Sequence, residues 1–139
     1  MISFTRETTV RFEHCDPAGL MFYPRFFALV NEMIEDWFAG PLACSFKTLH
    51  VDQRKGVPTV KLDATFIRPA RIGATLRQDL KVTHLGRTSC RLHHKASVAG
   101  DIAASFEHAI VYVDLASMNP EPWPASLRAA MSRYLENKP

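Results

Sequence analysis

The sequence predicts an α+β fold in which one long helix lies against a curved antiparallel sheet. Two observations lead to this prediction. Residues 24–38 form a single, strongly amphipathic helical segment, and four later segments alternate between apolar and polar residues with a period of two. The connections between those segments are short, which favours antiparallel neighbours. A broad apolar helix face needs a broad apolar cover, and a sheet supplies one.

Composition limits the class of protein further. The chain has 139 residues, which fits one domain, assigned to residues 1–139. Apolar residues make up 47% and charged residues 22%, as in a folded globular protein. The net charge of +3 is too small to predict a nucleic-acid partner, although it suits a small anionic ligand. We find no apolar run near the ~20 residues of a bilayer span and no secretory leader. Three widely spaced cysteines predict reduced thiols, so we expect a cytoplasmic protein with no membrane partner.

The first half of the chain predicts a strand followed by the long helix. Residues 4–12 alternate, with Val10 and Phe12 expected on one face. Pro24 is expected to begin the helix, since a missing N–H costs nothing in the first turn. The helix is expected to end near Phe38, and its apolar arc is wider than the ~100° stripe of a surface helix.

Four more strands and a short helix complete the expected order. We expect the strands at residues 57–67, 76–83, 89–98 and 102–113, and the helix at 125–135. The last strand is apolar on both faces, so it should be central in the sheet or covered on its second face. Because one helix covers only one face of the sheet, we expect a second copy of the chain, giving at least a dimer.

The loop that leads into the helix holds the most informative candidate residue. Asp16 lies between the end of a strand and the start of the helix. The first N–H groups of a helix are unpaired and partially positive, so they can stabilise an oxyanion. Gly19 would let the backbone approach a ligand closely. A purely structural role for Asp16, capping its own loop, remains open from the residues alone.

Other candidate catalytic residues have weaker support in the sequence than Asp16. A nucleophilic Cys15 helped by His14 and Asp16 is disfavoured, because adjacent residues in an extended chain point to opposite faces. Glu32 and Glu35 fall on the polar arc of the helix, where solvent exposure is the simpler interpretation.

The histidines do not suggest a metal site. They show no HxH pair and no helical i,i+4 pair, and the chain has no CxxC, so we expect no metal. His94 falls on the apolar face of its strand and is expected to be a hydrogen-bonded core residue.

Two cationic segments are candidates for binding phosphate. The turn Leu85-Gly86-Arg87-Thr88-Ser89 offers a glycine, a cation and two hydroxyls within five residues. Arg68 and Arg71 flank Pro69 as a second cationic patch. An ordinary polar turn remains the alternative for both segments.

The stretch from Phe12 to Phe27, FEHCDPAGLMFYPRFF, closely resembles the signature of the 4-hydroxybenzoyl-CoA thioesterase family. Two weaker motifs follow in the family's order, Gly56-Val57-Pro58 and the turn at residues 85–89. The resemblance covers nearly the whole chain. It implies the hotdog fold, in which an antiparallel sheet wraps a long helix, with the active site between two protomers of a dimer or tetramer.

The resemblance also implies roles for individual residues. Asp16 matches the catalytic carboxylate, and Tyr23 matches the residue whose backbone N–H polarises the thioester carbonyl. The expected substrate-binding residues are Gly19, Pro24, Val57, Pro58, Arg87, Thr88 and Ser89, the last three contacting the nucleotide and phosphates of coenzyme A. The 86–88 segment departs from hydroxybenzoyl-specific enzymes, which can be richer in cations there.

The implied reaction is hydrolysis of an acyl-CoA thioester to the free acid and coenzyme A. The resemblance favours an aromatic, hydroxybenzoyl-like acyl group, with no metal or redox cofactor and with coenzyme A as part of the substrate. Asp16 would act as nucleophile or as base to a water. Three alternatives stay open: a thioesterase for short aliphatic acyl-CoA, a non-catalytic acyl-thioester binding protein, and a hotdog hydratase, whose aspartate–histidine motif is not found here.

Overall fold

A computed structural model describes residues 2–136. The strands are β1 (Phe4–Thr9), β2 (Lys55–Gly56), β3 (Thr59–Phe66), β4 (Thr75–Leu85), β5 (Ser89–Val98), β6 (Asp101–Val111) and β7 (Val113–Asp114). The α-helices are α1 (Tyr23–Ala39) and α2 (Ala125–Ser132). A 3-10 helix occupies Phe12–His14, and a π-helical segment occupies Lys47–Asp52. Within the described residues, no helix combines the length and apolar character needed to cross a bilayer.

Five strands form one antiparallel sheet in the order β1-β4-β5-β6-β3, and α1 packs against one face of it. Strands β2 and β7 pair separately. The predicted fold class, α+β with one long helix against a curved antiparallel sheet, is confirmed. The sheet has two edges, β1 and β3.

Helix α1 buries the face that the sequence predicts. The buried residues are Phe26, Leu29, Val30, Met33, Ile34, Trp37 and Phe38. Each such side chain contributes about 1.5–3 kcal/mol when it leaves water, so this face dominates the attachment of α1 to the sheet. One polar contact also joins α1 to the sheet within this apolar layer. Gln78 Nε2, on β4, donates to the Leu29 carbonyl oxygen of α1 at 3.1 Å.

The predicted first strand is too long. It ends at Thr9, because Val10 exchanges backbone hydrogen bonds with the β3–β4 connection and the chain then turns into the 3-10 helix. Val10 is 1% exposed, whereas Phe12 is 82% exposed. The expectation that these two side chains share a buried face is therefore wrong.

The predicted last strand is also too long, since β6 ends at Val111 and the next residues form β7 against β2. Strand β6 lies between β5 and β3, so its apolar character on both faces reflects a central position. The terminal helix ends at Ser132 rather than at residue 135. In β3, the register of pairing with β6 shifts between Thr59 and Lys61, and the Val60 side chain is 62% exposed.

Two histidines lie in the layer between sheet and helix. His94 Nε2 and His108 Nδ1 are 3.1 Å apart, and His108 Nε2 is 2.7 Å from Thr59 Oγ1. Both imidazoles are 3% exposed. The expectation that His94 is a hydrogen-bonded core residue is confirmed.

Candidate active site

The loop from His14 to Phe22, called here the Asp16 loop, is a small hydrogen-bonded hairpin. The Phe22 N–H donates to the His14 carbonyl oxygen at 2.9 Å, and the Asp16 N–H donates to that of Leu20 at 2.9 Å. Gly19 has a φ of 77°, a left-handed conformation that favours glycine. The loop is therefore shaped by its own backbone, with Gly19 as the residue that makes its turn possible.

The two carboxylate oxygens of Asp16 have different surroundings. Oδ1 accepts hydrogen bonds from the N–H groups of Ala18, at 2.9 Å, and Leu20, at 3.2 Å. Among the described residues, Oδ2 accepts none. The loop-capping role that the sequence left open is thus met by one oxygen, while the other is available for chemistry.

The Asp16 loop is fixed from outside by the β3–β4 connection. The Met21 N–H donates to the Ala70 carbonyl oxygen at 2.8 Å, and the Ile72 N–H donates to that of Gly19 at 2.9 Å. These bonds hold both arms of the hairpin, so the carboxylate keeps a defined position relative to the start of α1.

Helix α1 presents a free backbone donor at its start. Tyr23 is the first helical residue, Pro24 has no N–H, and the Arg25 N–H bonds to the Phe22 carbonyl oxygen at 2.9 Å. Within residues 2–136, the Tyr23 N–H donates to no acceptor. Because the helix dipole adds partial positive charge here, this N–H is suited to hold a carbonyl oxygen that gains negative charge.

A shallow groove of about 280 Å³ lies between the start of α1 and the end of β3. This β3-end groove is lined by Met21, Tyr23, Phe26, Phe66, Ile67, Arg68 and Pro69. Phe66 is 44% exposed, and the sequence analysis did not identify it as a site residue. The available signal was the loss of alternation at Phe66-Ile67, directly before the Arg68-Pro69 interruption.

The turn at residues 85–89 is hydrogen-bonded to residues from the C-terminal part of the chain. The Thr88 carbonyl oxygen accepts a bond from the Tyr112 N–H at 2.8 Å, and the Gly86 carbonyl oxygen accepts one from Arg128 Nη1 at 2.8 Å. Arg87 is exposed, so a fixed turn presents its guanidinium to solvent. The sequence analysis did not identify Arg128, whose contact joins residues far apart in the chain.

The Gly56-Val57-Pro58 motif lies near this turn. The Val57 side chain is 9% exposed and belongs to the hydrophobic core, whereas Pro58 is half-buried and its carbonyl oxygen accepts a bond from the Val111 N–H at 3.2 Å. Of the two predicted substrate-binding positions, Pro58 alone has a partly exposed side chain. Its role stays a prediction.

The predicted site residues fall into two groups at opposite ends of the sheet. At the end where β4 begins, called the Asp16 end, lie Asp16, Gly19, Tyr23 and Pro24. At the end where β4 finishes, called the Arg87 end, lie Val57, Pro58, Arg87, Thr88 and Ser89. The 11 residues of β4 separate them by about 30 Å at the usual rise per strand residue. One protomer therefore does not bring Asp16 and Arg87 together.

Comparison with protein families gives the class of protein. Residues 10–131 match the family model of the thioesterase-like superfamily. The chain belongs to this superfamily. Together with the architecture of α1 and the sheet, the match confirms the hotdog fold, and it confirms the predicted class of enzyme, an acyl-CoA thioesterase.

Within residues 2–136, no group of three His, Cys, Asp or Glu side chains is arranged to hold a metal ion.

Individual relatives of this thioesterase-like chain agree with that membership. A 1,4-dihydroxy-2-naphthoyl-CoA hydrolase of Nostoc punctiforme is 24% identical over 123 residues, 88% of this chain and 82% of the relative. The crystal structure of a 1,4-dihydroxy-2-naphthoyl-CoA thioesterase from Synechocystis has a TM-score of 0.85 and 22% identity, covering 94% of this chain and 96% of the other. A Staphylococcus aureus protein solved in complex with CoA has a TM-score of 0.89 and 16% identity, covering 99% and 87% of the two chains.

Proposed function

We propose that the protein hydrolyses an aromatic acyl-CoA thioester, with Asp16 as nucleophile or base and the Tyr23 N–H as oxyanion donor. The observation that carries this proposal is the pair of free groups on one fixed structural unit: Asp16 Oδ2 and the Tyr23 N–H. A thioester needs both a nucleophile for its carbonyl carbon and a donor for its carbonyl oxygen.

Asp16 can bring about complete hydrolysis of the thioester either as a nucleophile or as a base. As nucleophile, Oδ2 bonds to the carbonyl carbon, the C–S bond breaks, and the departing thiolate takes a proton from water. The hydroxide left by that proton transfer then cleaves the mixed anhydride, which releases the acid and restores the carboxylate. As base, Asp16 takes a proton from the attacking water and returns it to the leaving sulfur. Both routes yield a carboxylic acid and free coenzyme A without a metal or redox cofactor.

An aromatic acyl group is supported by two observations. Two of the named relatives are a 1,4-dihydroxy-2-naphthoyl-CoA hydrolase and a 1,4-dihydroxy-2-naphthoyl-CoA thioesterase, and the acyl group in those names is aromatic. In this chain, the β3-end groove beside Tyr23 is lined by aromatic rings. The narrower assignment to the 4-hydroxybenzoyl-CoA thioesterase family remains part of this proposal, as do a cytoplasmic location and the absence of nucleic-acid or membrane partners.

A panel of CoA thioesters tests the proposal directly. Release of free coenzyme A should be fastest from aroyl-CoA substrates and slower from short aliphatic ones. Fastest turnover of an aliphatic thioester would favour the aliphatic alternative. Tight binding without release of coenzyme A would favour the non-catalytic alternative. Hydration of an enoyl-CoA with its thioester intact would identify a hydratase.

The separation of the two ends supports a site shared between protomers. Strand β3 is an edge, and it exposes the apolar residues Val60 and Phe66. If two β3 strands pair antiparallel about a two-fold axis, the Asp16 end of one protomer lies beside the Arg87 end of its partner. One extended CoA thioester would then contact both groups of predicted residues, which a single protomer keeps about 30 Å apart.

Assembly gives the first prediction. We expect light scattering at micromolar concentration to show a dimer or tetramer, at least twice the 15.7 kDa of one chain. Val60→Asp should dissociate it and lower activity, because it places a charge on the β3 edge. Val51→Asp is the matched control, since Val51 is 65% exposed and lies in the π-helical segment rather than on the edge. A fully active wild-type monomer would contradict both the dimer and the shared site.

Binding of coenzyme A gives the second prediction. Arg87→Ala should raise KM about tenfold and weaken inhibition by free coenzyme A, with kcat nearly unchanged. A phosphate contact distant from the reacting atoms stabilises ground state and transition state alike, and tenfold corresponds to ~1.4 kcal/mol. Arg133→Ala, at an exposed arginine after α2, serves as the control. A collapse of kcat at constant KM would instead place Arg87 in the chemical step.

A further inference from the structure

The buried histidine pair is connected to the surface through Thr59. His94 Nε2 lies 3.1 Å from His108 Nδ1, and His108 Nε2 lies 2.7 Å from Thr59 Oγ1. Both imidazoles are buried, whereas Thr59, the first residue of β3, is exposed. Among the described residues, His94 Nδ1 has no hydrogen-bond partner. A chain of hydrogen bonds thus runs from an unpartnered nitrogen in the core to a hydroxyl at the edge of the sheet.

The unpartnered nitrogen determines the direction of these hydrogen bonds. Burial lowers the pKa of both imidazoles, so each ring is neutral at neutral pH and carries a single N–H. A proton on His94 Nδ1 would be a buried donor without an acceptor, which is rarer in folded proteins than an unused acceptor. The proton of His94 therefore lies on Nε2 and is donated to His108 Nδ1. His108 in turn donates from Nε2 to Thr59 Oγ1.

This direction leaves the hydroxyl proton of Thr59 free. Thr59 Oγ1 accepts from His108, and within residues 2–136 this is its only hydrogen bond. A hydroxyl that accepts a hydrogen bond becomes a stronger donor of its own proton, because hydrogen bonds in a chain polarise one another. The histidine pair thus holds Thr59 as a donor whose proton points away from His108.

The Thr59 side chain lies on the helix-facing side of β3. Thr59 pairs with Ile110 of β6, and Phe66 at the other end of β3 pairs with Ala104, both partners being buried in the core. Directly paired residues point to the same face of a sheet, so Thr59 and Phe66 share that face. The register shift between Thr59 and Lys61 makes this possible, because an odd spacing in a regular strand would place the two on opposite faces.

Antiparallel pairing of two β3 strands would bring Thr59 to the active site of the partner. The start of one strand then lies beside the end of the other. At the end of β3, the Phe66 ring is 5.9 Å from the ring of Tyr23, whose N–H is the proposed oxyanion donor. Thr59 of one protomer therefore faces the same site as Asp16 of the other.

We propose that the Thr59 hydroxyl binds the substrate held at Asp16 of the partner subunit, by donating to an amide carbonyl oxygen in the linker between thioester and nucleotide. Thr59 is then a substrate-binding residue, and His94 and His108 are positioning residues that keep its proton directed at the substrate. This inference rests on the proposed thioesterase reaction and on the shared site, and it adds a specific contact to them.

Thr59→Val tests the contact, because valine removes the hydroxyl and keeps the β-branched shape. KM for an aroyl-CoA should rise about tenfold with kcat nearly unchanged, since a linker contact stabilises ground state and transition state alike. Thr59→Ser keeps the hydroxyl and should stay close to wild type. Thr65→Val is the matched control, because Thr65 is exposed on the opposite face of β3.

A substrate without the acceptor separates this contact from a structural role of Thr59. The S-ethyl thioester of the same acid has no amide, so Thr59→Val should leave its kcat/KM nearly unchanged. An equal loss with both thioesters, or a fall in kcat at constant KM, would overturn the linker contact.

NMR of the imidazole nitrogens tests the direction of the hydrogen bonds, because it distinguishes a ring nitrogen that carries a proton from one that does not. Nδ1 should be unprotonated in both His94 and His108. A proton on His94 Nδ1 would reverse the chain and make Thr59 the donor to His108, which would contradict its role as donor to the substrate.

A hybrid of two variants tests which protomer Thr59 serves. Two differently tagged chains are co-expressed, one with Asp16→Asn and the other with Thr59→Val. If Thr59 acts on the partner's substrate, each hybrid dimer has one site with both residues intact, and turnover with wild-type KM should reappear. If Thr59 acts within its own protomer, every site with an intact Asp16 carries the valine. The raised KM then persists throughout, and the proposal is wrong.

The outcomes also separate this inference from the proposed function. If wild type hydrolyses acyl-CoA and Thr59→Val keeps the wild-type KM, the role of Thr59 is wrong and the thioesterase reaction stands. If wild type hydrolyses no thioester, the proposed function itself fails and the role of Thr59 fails with it.

Discussion

Asp16→Asn should remove nearly all hydrolysis of acyl-CoA while leaving the protein folded. Asparagine keeps an oxygen where Oδ1 accepts the Ala18 and Leu20 N–H groups, so the Asp16 loop retains its conformation. The amide nitrogen replaces the free Oδ2 and is neither a nucleophile nor a base. Loss of general-base help alone lowers kcat by ~10²–10⁴, and loss of a nucleophile lowers it further.

The control for this variant is Glu13→Gln, which neutralises a neighbouring carboxylate that is 75% exposed. We expect it to keep nearly all activity. Matching thermal unfolding curves for wild type and Asp16→Asn would show that the loss is chemical. Turnover by Asp16→Asn within tenfold of wild type would refute the assigned role of Asp16.

The buried histidine pair should make the fold sensitive to mild acid. Burial, with smaller contributions from His108 and His93, lowers the pKa of His94 to about 3. Burial also lowers the pKa of His108 to about 4. The unfolded chain has ordinary imidazoles near pKa ~6.5, so it binds more protons than the folded chain as pH falls below that value. The free energy of unfolding should therefore be highest above pH ~6.5 and should fall steadily below it, by up to ~1.4 kcal/mol per pH unit for each imidazole.

Denaturant unfolding between about pH 5 and pH 6.5 measures this slope above the range in which most carboxylates titrate. The double variant His94→Leu/His108→Leu removes both imidazoles. The Thr59 hydroxyl then loses its partner His108, but Thr59 is exposed, so water can replace that hydrogen bond. Its slope should be much flatter than that of wild type. His84→Gln changes an exposed histidine and should leave the slope unchanged. Equal slopes for wild type and the double variant would show that both states bind protons alike at these sites.

The sequence predicts α1 and the inner strands well because their burial follows a regular period. Leu76, Leu80 and Val82 are all fully buried on one face of β4, as alternation requires. The errors lie where a tertiary contact ends an element. Phe12 continues the alternation of β1 in sequence, but the pairing of β1 with β4 ends at Thr9, and the chain then turns and exposes Phe12.

The Asp16 loop was predictable because its turn chemistry and the start of α1 are local in sequence. The division of its two oxygens was not, since hydrogen bonds to Ala18 and Leu20 depend on the folded loop. The distance between Asp16 and Arg87 follows only from the strand order, which sequence periodicity does not encode. The groove at Phe66 likewise arises from side chains of two elements that meet in space.

The edge position of β3 has a consequence for the substrate length that the enzyme accepts, namely the length of the linker between the thioester and the nucleotide. In the proposed dimer, the span between Asp16 and Arg87 of the partner subunit is set by the register in which the two β3 strands pair. A slip of two residues keeps every side chain on its own face but moves one chain by about 7 Å along the other. The pairing register would thus determine which length of linker between thioester and nucleotide fits the site. In related chains, a different β3–β3 register would fit a shorter or longer linker with the Asp16 loop unaltered.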